Sequence, residues 1–93
     1  METKKVRRTV SSSDLSALSR EHIVVGAKQL RKALCAGRAR RVFLAVNADP
    51  AVTGPLEEAC KSNNVTCAWV KSMRDLGMAC GIEVGAAAAA IVD

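Results

Sequence analysis

The stretch "RRVFLAVNAD", Arg40 to Asp49, constrains the fold more than any other part of the chain. Charged residues bound a nearly continuous apolar run, which is typical of a strand buried on both faces of a sheet. Such a strand needs covering helices on each side. Aromatic residues make up only 2% of the 93 residues, so the core must consist of closely packed Val, Leu, Ile, Ala and Cys. We therefore predict a small α/β domain.

Helical and apolar segments alternate along the rest of the chain. The start of the helix after "VNAD" is ambiguous, because Asp49-Pro50 and Gly54-Pro55 are both start signals. The other predicted elements are a first helix in "SDLSALSRE", a strand in "HIVVG", a helix from Ala27 to about Ala36 closed by Gly37, a strand in "VTCAWV", and a helix in "SMRDLGMACG" with a capping box at Ser72 and Asp75, ended by Gly81.

The last segment, "GAAAAAIVD", has two interpretations. Alanine propensity favours a helix. However, a central strand pressed between two helical layers needs small side chains. We predict a strand here.

The four cysteines show neither CxxC spacing nor histidine neighbours, since the chain has one histidine, His22. We therefore expect no metal site. Their apolar surroundings predict that they are mostly reduced core residues, which favours a cytoplasmic protein. The sequence positions are Cys35, Cys60, Cys67 and Cys80.

Residues 1–13 are basic and serine-rich, and we predict a flexible tail there, followed by a single domain over residues 14–93. The start of the chain has no apolar stretch behind its charges, so it does not resemble a secretory signal. The longest apolar run is too short to span a bilayer. No membrane association is expected.

The net charge of +5 is unevenly distributed. Residues 1–41 contain eleven Lys and Arg against three acids, whereas residues 42–93 contain three against six. The basic half is either an anion-binding surface or a solvated basic surface with a basic tail, and charge alone does not separate the two.

The helix after Gly26 has a polar face that carries Lys28, Gln29 and Lys32. A glycine before a helix leaves its free N–H groups open to a phosphate oxygen, and the lysines would add charge to the same anion. The alternative is a solvated amphipathic face behind a glycine hinge. Gln29 can both donate to and accept from a base edge, but only if the RNA is bulged or kinked, because a regular A-form groove excludes side chains.

The segments "GAKQLRKAL", "VNADP" and "SMRDLGMACGIEVGAAAAAIV", in this order, resemble the ribosomal L7Ae and L30e superfamily of kink-turn RNA-binding proteins. They look most like its small bacterial L7Ae-like branch, over roughly residues 15–92. The resemblance implies a three-layer α/β/α sandwich around a four-stranded mixed sheet. It also implies that the helix after Gly26 enters the widened groove of a kink-turn, an RNA bulge followed by tandem sheared G·A pairs.

Carried over by motif, the resemblance implies that the glycine, the helix start, an acidic residue and an apolar loop contact the RNA. Relatives often have Asn-Glu where this chain has Lys28-Gln29, and the bacterial branch resembles Lys-Gln. Asp49 is either near the bulged nucleotide or only a helix cap, and the loop "GIEVG" either packs on extruded bases or is a turn with two core aliphatics. The implied RNA-binding residues are Gly26, Ala27, Lys28, Gln29, Arg31, Lys32, Asp49, Arg74, Ile82, Glu83 and Val84.

The expected function is therefore RNA binding by a monomer, free or within the ribosome, with ribosomal or another structured RNA as partner. A protein-interaction module of the same fold is the alternative, and the basic first half argues against it. No cofactor and no enzymatic activity are expected, because one histidine and scattered acids form no nucleophile–base pair.

Overall fold

The computed structural model describes residues 22–92 of the chain. The predicted tail and the predicted first helix, residues 1–21, lie outside the described residues. The described part forms four strands and three helices. In chain order these are β1 (Ile23–Val25), α1 (Ala27–Cys35), β2 (Ala39–Ala45), α2 (Pro50–Ser62), β3 (Thr66–Val70), α3 (Met73–Ala79) and β4 (Ala88–Val92).

The strands form one mixed sheet in the order β1-β4-β2-β3. β4 is antiparallel to both of its neighbours, β1 and β2, whereas β2 and β3 are parallel. The polyalanine segment is therefore a central strand, as predicted, and Ala88, Ala89 and Ala90 have no exposed surface. Pairing on both sides outweighs alanine's helix propensity, and methyl groups fit between two covering layers.

Side chains that alternate across the sheet supply two separate cores. On one face, Val42 of β2 packs in a cluster with Leu30 of α1 and Leu56 of α2. On the other face, Phe43 of β2 packs in a cluster with Leu76 of α3. The predicted three-layer arrangement is thus confirmed. Within residues 22–92, no helix has both the length and the apolar character needed to cross a membrane.

The start of α2 is the earlier of the two predicted positions. The Asp49 carboxylate accepts a hydrogen bond from the Ala51 N–H at 2.9 Å, and Pro50 occupies the first turn. Gly54 and Pro55 lie inside the helix. The Asp49 side chain satisfies one free N–H group at the helix start, and Pro50 has no N–H group that needs an acceptor. These two effects explain why α2 begins at Asp49-Pro50 rather than at Gly54-Pro55.

The other helix ends also follow the sequence. The Ser72 hydroxyl accepts from the Asp75 N–H at 3.1 Å at the start of α3, as the predicted capping box requires. Gly37 and Gly81 follow α1 and α3 with φ of 70° and 80°. These left-handed positions end each helix and turn the chain toward the next strand.

The cysteines are free, and the structure corrects the prediction that they are core residues at one position. Cys60 is buried, Cys67 and Cys80 are half-buried, and Cys35 is exposed. Cys35 lies seven residues after Lys28, so it falls on the polar face of α1. A hydrogen bond to Cys60, together with burial, raises the pKa of the Cys67 thiol, and burial raises the pKa of the Cys80 thiol.

We expect iodoacetamide at neutral pH to alkylate Cys35 before the other cysteines of the native protein. The Cys35 side chain is exposed, whereas Cys60 has no accessible surface and the raised pKa values of Cys67 and Cys80 leave little reactive thiolate. Timed alkylation with peptide mapping measures the order, and Cys35→Ser should remove the fast phase. Equal rates at Cys35 and Cys60 would contradict the observed orientation of α1.

Candidate nucleic-acid interface

One edge of the sheet collects the segments that carry the predicted site residues. β2 and β3 end at this edge because they are parallel, and β4 begins there because it is antiparallel to β2. β1 also ends there, since it is antiparallel to β4. Four segments therefore converge at this edge of the sheet: the start of α1, residues 46–49, the start of α3, and the loop at residues 80–87. We call this region the loop edge.

Hydrogen bonds hold the segments of the loop edge together. The Gly26 N–H donates to the Ala88 carbonyl at 2.9 Å, which joins the start of α1 to the start of β4. The Met73 N–H donates to the Asn47 side-chain oxygen at 2.8 Å, and the Met73 carbonyl accepts from the Ala86 N–H at 2.9 Å. The Asn47 side chain therefore ties the residues after β2 to the start of α3. The sequence analysis did not identify this role, although a polar residue shortly after a buried strand could have indicated it.

The helix α1 begins without a side-chain cap. Gly26 precedes it with φ 102°, a conformation that other residues rarely adopt, and open space lies where a Cβ would be. The Gly26 carbonyl accepts from the Leu30 N–H at 3.0 Å, whereas the N–H groups of Ala27, Lys28 and Gln29 have no acceptor among the described residues. The first turn contains no acidic residue. This helix start therefore presents free donors and the positive end of the helix dipole to open space.

Basic and polar side chains surround these donors. The predicted two-faced helix is confirmed, since Leu30 is buried while the residues of the polar face are exposed. Lys32 lies between two surface depressions: it borders one with Lys28 and Arg31, and another of about 210 Å³ with Gln29. The polar face thus places an amide that can read a base edge beside ammonium groups that can hold phosphates.

Asp49 and Arg74 lie at the loop edge on different helices. Of the two roles considered for Asp49, the structure shows the helix cap, and the carboxylate is at an exposed position. Arg74 is exposed in the first turn of α3, next to Met73, whose backbone N–H is bonded to Asn47. Both charged groups are therefore on the same edge of the molecule as the start of α1.

The two aliphatic residues of the loop between α3 and β4 differ in solvent exposure. Ile82 is half-buried against the α3-side core, and its N–H donates to the Gly77 carbonyl at 3.0 Å. Val84 is 70% exposed, and Glu83 beside it is also exposed. Met78, which the sequence did not indicate, is 66% exposed. Val84, rather than Ile82, offers the larger apolar surface to a ligand.

Two glycines allow this loop to lie directly on α3. A Cβ built on Gly77 would overlap the Val84 carbonyl oxygen and lie 3.1 Å from the Gly85 Cα. A Cβ built on Gly85 would lie 3.1 Å from the Met73 Cβ. A Cβ on Gly77 would force the loop or the helix to shift, whereas one on Gly85 would require Met73 to give by a few tenths of an ångström. The position of Val84 therefore depends chiefly on Gly77.

The fold and the loop edge define a class: a small three-layer α/β/α domain with an uncapped, basic helix start beside an exposed apolar loop. The model described as "Ribosomal protein L7Ae/L30e/S12e/Gadd45 family" matches residues 8–93. The chain belongs to this family, and the predicted resemblance is confirmed.

Similar proteins are named as RNA-binding or ribosomal proteins. The chain is 49% identical over 69 residues to an RNA-binding protein of Geobacillus sp. strain WCH70, covering 74% of this chain and 84% of that protein. It is 36% identical over 69 residues to the large ribosomal subunit protein eL8 of Haloquadratum walsbyi, covering 73% and 58%. The solved structure of the Giardia lamblia 15.5kD RNA binding protein is similar, with a TM-score of 0.78 at 26% identity, covering 91% of this chain and 78% of that one.

Proposed function

We propose that this protein binds structured RNA and recognises a kink-turn, either free or within the ribosome. The observation that carries this function is the start of α1, where unbonded N–H groups, Lys28, Gln29 and Lys32 share one exposed surface. Membership of a ribosomal protein family and the RNA-binding names of similar proteins support it.

Phosphates would bind at the start of α1. The N–H groups of Ala27 and Lys28 and the helix dipole attract an anion, and Gly26 has no side chain to block its approach. Lys28 and Lys32 are one helical turn apart and would neutralise neighbouring phosphates. This arrangement explains why a lysine lies in the first turn of α1, beside the positive end of the helix dipole: the helix start and Lys28 would bind the same external anion.

Gln29 would supply the specificity. Its amide carries a donor and an acceptor, which suits the edge of a sheared G·A pair, whereas a lysine can only donate. A straight A-form helix hides these edges in a deep, narrow groove, and a kink exposes them. Selection for a kinked RNA therefore follows from the geometry of the RNA as well as from the side chain.

The rest of the loop edge would hold the bulged nucleotides. Val84 is exposed and apolar, so an extruded base can pack on it, with the exposed part of Ile82 at its side. Arg74 would contribute a further phosphate contact, while Glu83 and Asp49 border the bases. Because Asp49 also caps α2, loss of its side chain would affect the helix and the RNA together.

The direct test compares binding of the full chain to a kink-turn RNA and to a straight duplex of equal length and charge. We expect tighter binding to the kink-turn at every salt concentration. Equal affinities would contradict kink-turn recognition, and the absence of binding to either RNA would favour a protein-interaction module instead.

We expect log Kd for the kink-turn to change with log salt concentration with a slope of about 2 to 3, because Lys28, Arg31, Lys32 and the helix start neutralise about three phosphates. Lys32→Ala should lower this slope by about one and weaken binding to all RNAs similarly. Lys61→Ala is the matched control, since Lys61 is exposed in the last turn of α2, about 17 Å along that helix from the loop edge. A slope near zero, or equal effects of both variants, would contradict phosphate binding by α1.

A further inference from the structure

The exposed surface of α1 has two sides, which meet at Lys32. On one side, Lys32 borders a surface depression with Lys28 and Arg31. On the other side, it borders a depression with Gln29 and Arg38. At about 100° per residue, Arg31 and Gln29 point in directions about 160° apart around the helix axis. We call these the Arg31 side and the Gln29 side of α1.

The end of α1 places Arg38 on the Gln29 side, although Arg38 lies outside the helix. Gly37 follows α1 with φ 70°, and its N–H donates to the Leu34 carbonyl at 3.1 Å. The Arg38 N–H donates to the Ala33 carbonyl at 2.9 Å. These two bonds form a Schellman motif, which folds the chain back over the last turn of the helix. Ala33 is one helical turn after Gln29 and borders the same depression, so the backbone of Arg38 is attached directly to the Gln29 side.

The depression on the Gln29 side has an apolar floor and a polar rim. Ala33 and Val92 of the floor are buried, Val24 is half-buried, and the volume is about 210 Å³. The exposed side chains on the rim are Gln29, Lys32 and Arg38. A strand of RNA fits such a surface, because its sugars can lie on the apolar floor while its phosphates meet the cations of the rim.

The Arg38 guanidinium can serve the protein and an RNA together. Arg38 takes part in an interaction within the protein, and its side chain has five N–H donors in a planar fork. Two parallel donors are enough to bind a phosphate. A contact with the backbone carries no sequence information, so base recognition remains with Gln29.

We propose that the two sides of α1 hold the two strands of the kink-turn. A helix that enters a groove has one backbone on each side of its axis. Lys28 and Arg31 bind the phosphates of one strand, and Arg38 binds the phosphates of the strand whose base edge meets Gln29. Arg38 thereby determines specificity, because it fixes this strand relative to the Gln29 amide. The assignment of strands rests on kink-turn binding as proposed above.

The test measures binding of the full chain to kink-turn RNAs in which one phosphate at a time is replaced by a neutral methylphosphonate. For the wild type, replacement of a bound phosphate should weaken binding about tenfold, the value of a hydrogen bond to a charged group. Arg38→Gln should weaken binding to the unmodified RNA about tenfold and should lose the methylphosphonate effects on one strand only. Arg31→Gln removes the same charge from the Arg31 side and should lose the effects on the opposite strand only.

A second measurement links Arg38 to base recognition. Gln29→Ala should reduce kink-turn affinity by a smaller factor in the Arg38→Gln background than in the wild type, because the strand is no longer fixed against the amide. In the Arg31→Gln background, the effect of Gln29→Ala should be the same as in the wild type.

Two variants control for the position and for the kind of charge. Lys61→Gln removes one exposed charge from the last turn of α2 and should leave the pattern of methylphosphonate effects unchanged. Arg38→Lys keeps the charge and should restore most of the affinity and the lost methylphosphonate effects. The melting temperature of Arg38→Gln should match that of the wild type, because Arg38 is exposed.

Two results would overturn the assignment of strands: methylphosphonate effects that Arg38→Gln leaves intact at every position, or effects that Arg38→Gln and Arg31→Gln remove on the same strand. Failure of the proposed function gives a different result, namely equal affinity of the wild type for the kink-turn and for the straight duplex. Kink-turn selectivity together with either overturning result would leave that function standing and remove only the assignment of strands.

Discussion

Gly77→Ala should lower the free energy of unfolding by about 3 kcal/mol, the upper part of the usual range for overpacking. The new methyl group would overlap the Val84 carbonyl oxygen, which is backbone and cannot rotate away. Either the loop moves off α3 or the helix shifts, and the hydrogen bond from Ile82 N–H to the Gly77 carbonyl is strained in both cases. Denaturant unfolding measures the change.

Gly54→Ala is the matched control for this substitution. Gly54 lies inside α2, and a Cβ built on it meets nothing within 4 Å. Alanine should change the stability here by less than about 1 kcal/mol, because its higher helix propensity is opposed by crowding of the new Cβ against the ring of Pro55, which follows it. Equally large destabilisation at both glycines would contradict the close approach of the loop to α3. If the loop moves, Gly77→Ala should also weaken RNA binding, whereas Gly54→Ala should not.

Gln29→Ala should weaken binding to a kink-turn with intact sheared G·A pairs by about 1 to 3 kcal/mol, the usual value of a bidentate base contact. This corresponds to a loss of affinity of about 5- to 150-fold. The melting temperature should hardly move, since Gln29 is exposed and such substitutions usually change stability by less than about 0.5 kcal/mol. Lys32→Ala, on the same face of α1, should weaken all RNAs alike.

The elements whose local signals agreed with the global fold could be predicted from the sequence. The apolar run around Phe43 fits a buried strand, and the capping box at Ser72 marks the start of α3 locally. The start of α2 was limited to two positions, Asp49-Pro50 and Gly54-Pro55, and the structure shows the first. The polyalanine strand could be predicted only from the expected layers of the fold, because alanine's local propensity favours a helix. Pairing with β1 and β2 on both sides makes the segment a strand.

Features that depend on contacts between distant segments could not be predicted. The close approach of Val84 to Gly77 requires knowing how the loop folds back on α3, and the division between half-buried Ile82 and exposed Val84 follows from it. In β2, Ala39 pairs with Val92 and Arg41 with the adjacent Ile91, so a bulge lies at Arg40. This bulge arises from the register between β2 and β4, which neither segment indicates alone. By contrast, the exposure of Cys35 follows from helical periodicity, which at this position outweighs the usual tendency of cysteine to lie in the core.

A two-by-two binding cycle at fixed salt tests most directly whether α1 reads the geometry of a kinked RNA. Wild type and Gln29→Ala are each measured against a kink-turn and against the same RNA with its sheared G·A pairs changed to Watson–Crick pairs. We expect the substitution to reduce affinity for the kink-turn by about 5- to 150-fold and to have almost no effect on the altered RNA, since the contact does not exist there. Equal losses on both RNAs, or none on either, would contradict the claim.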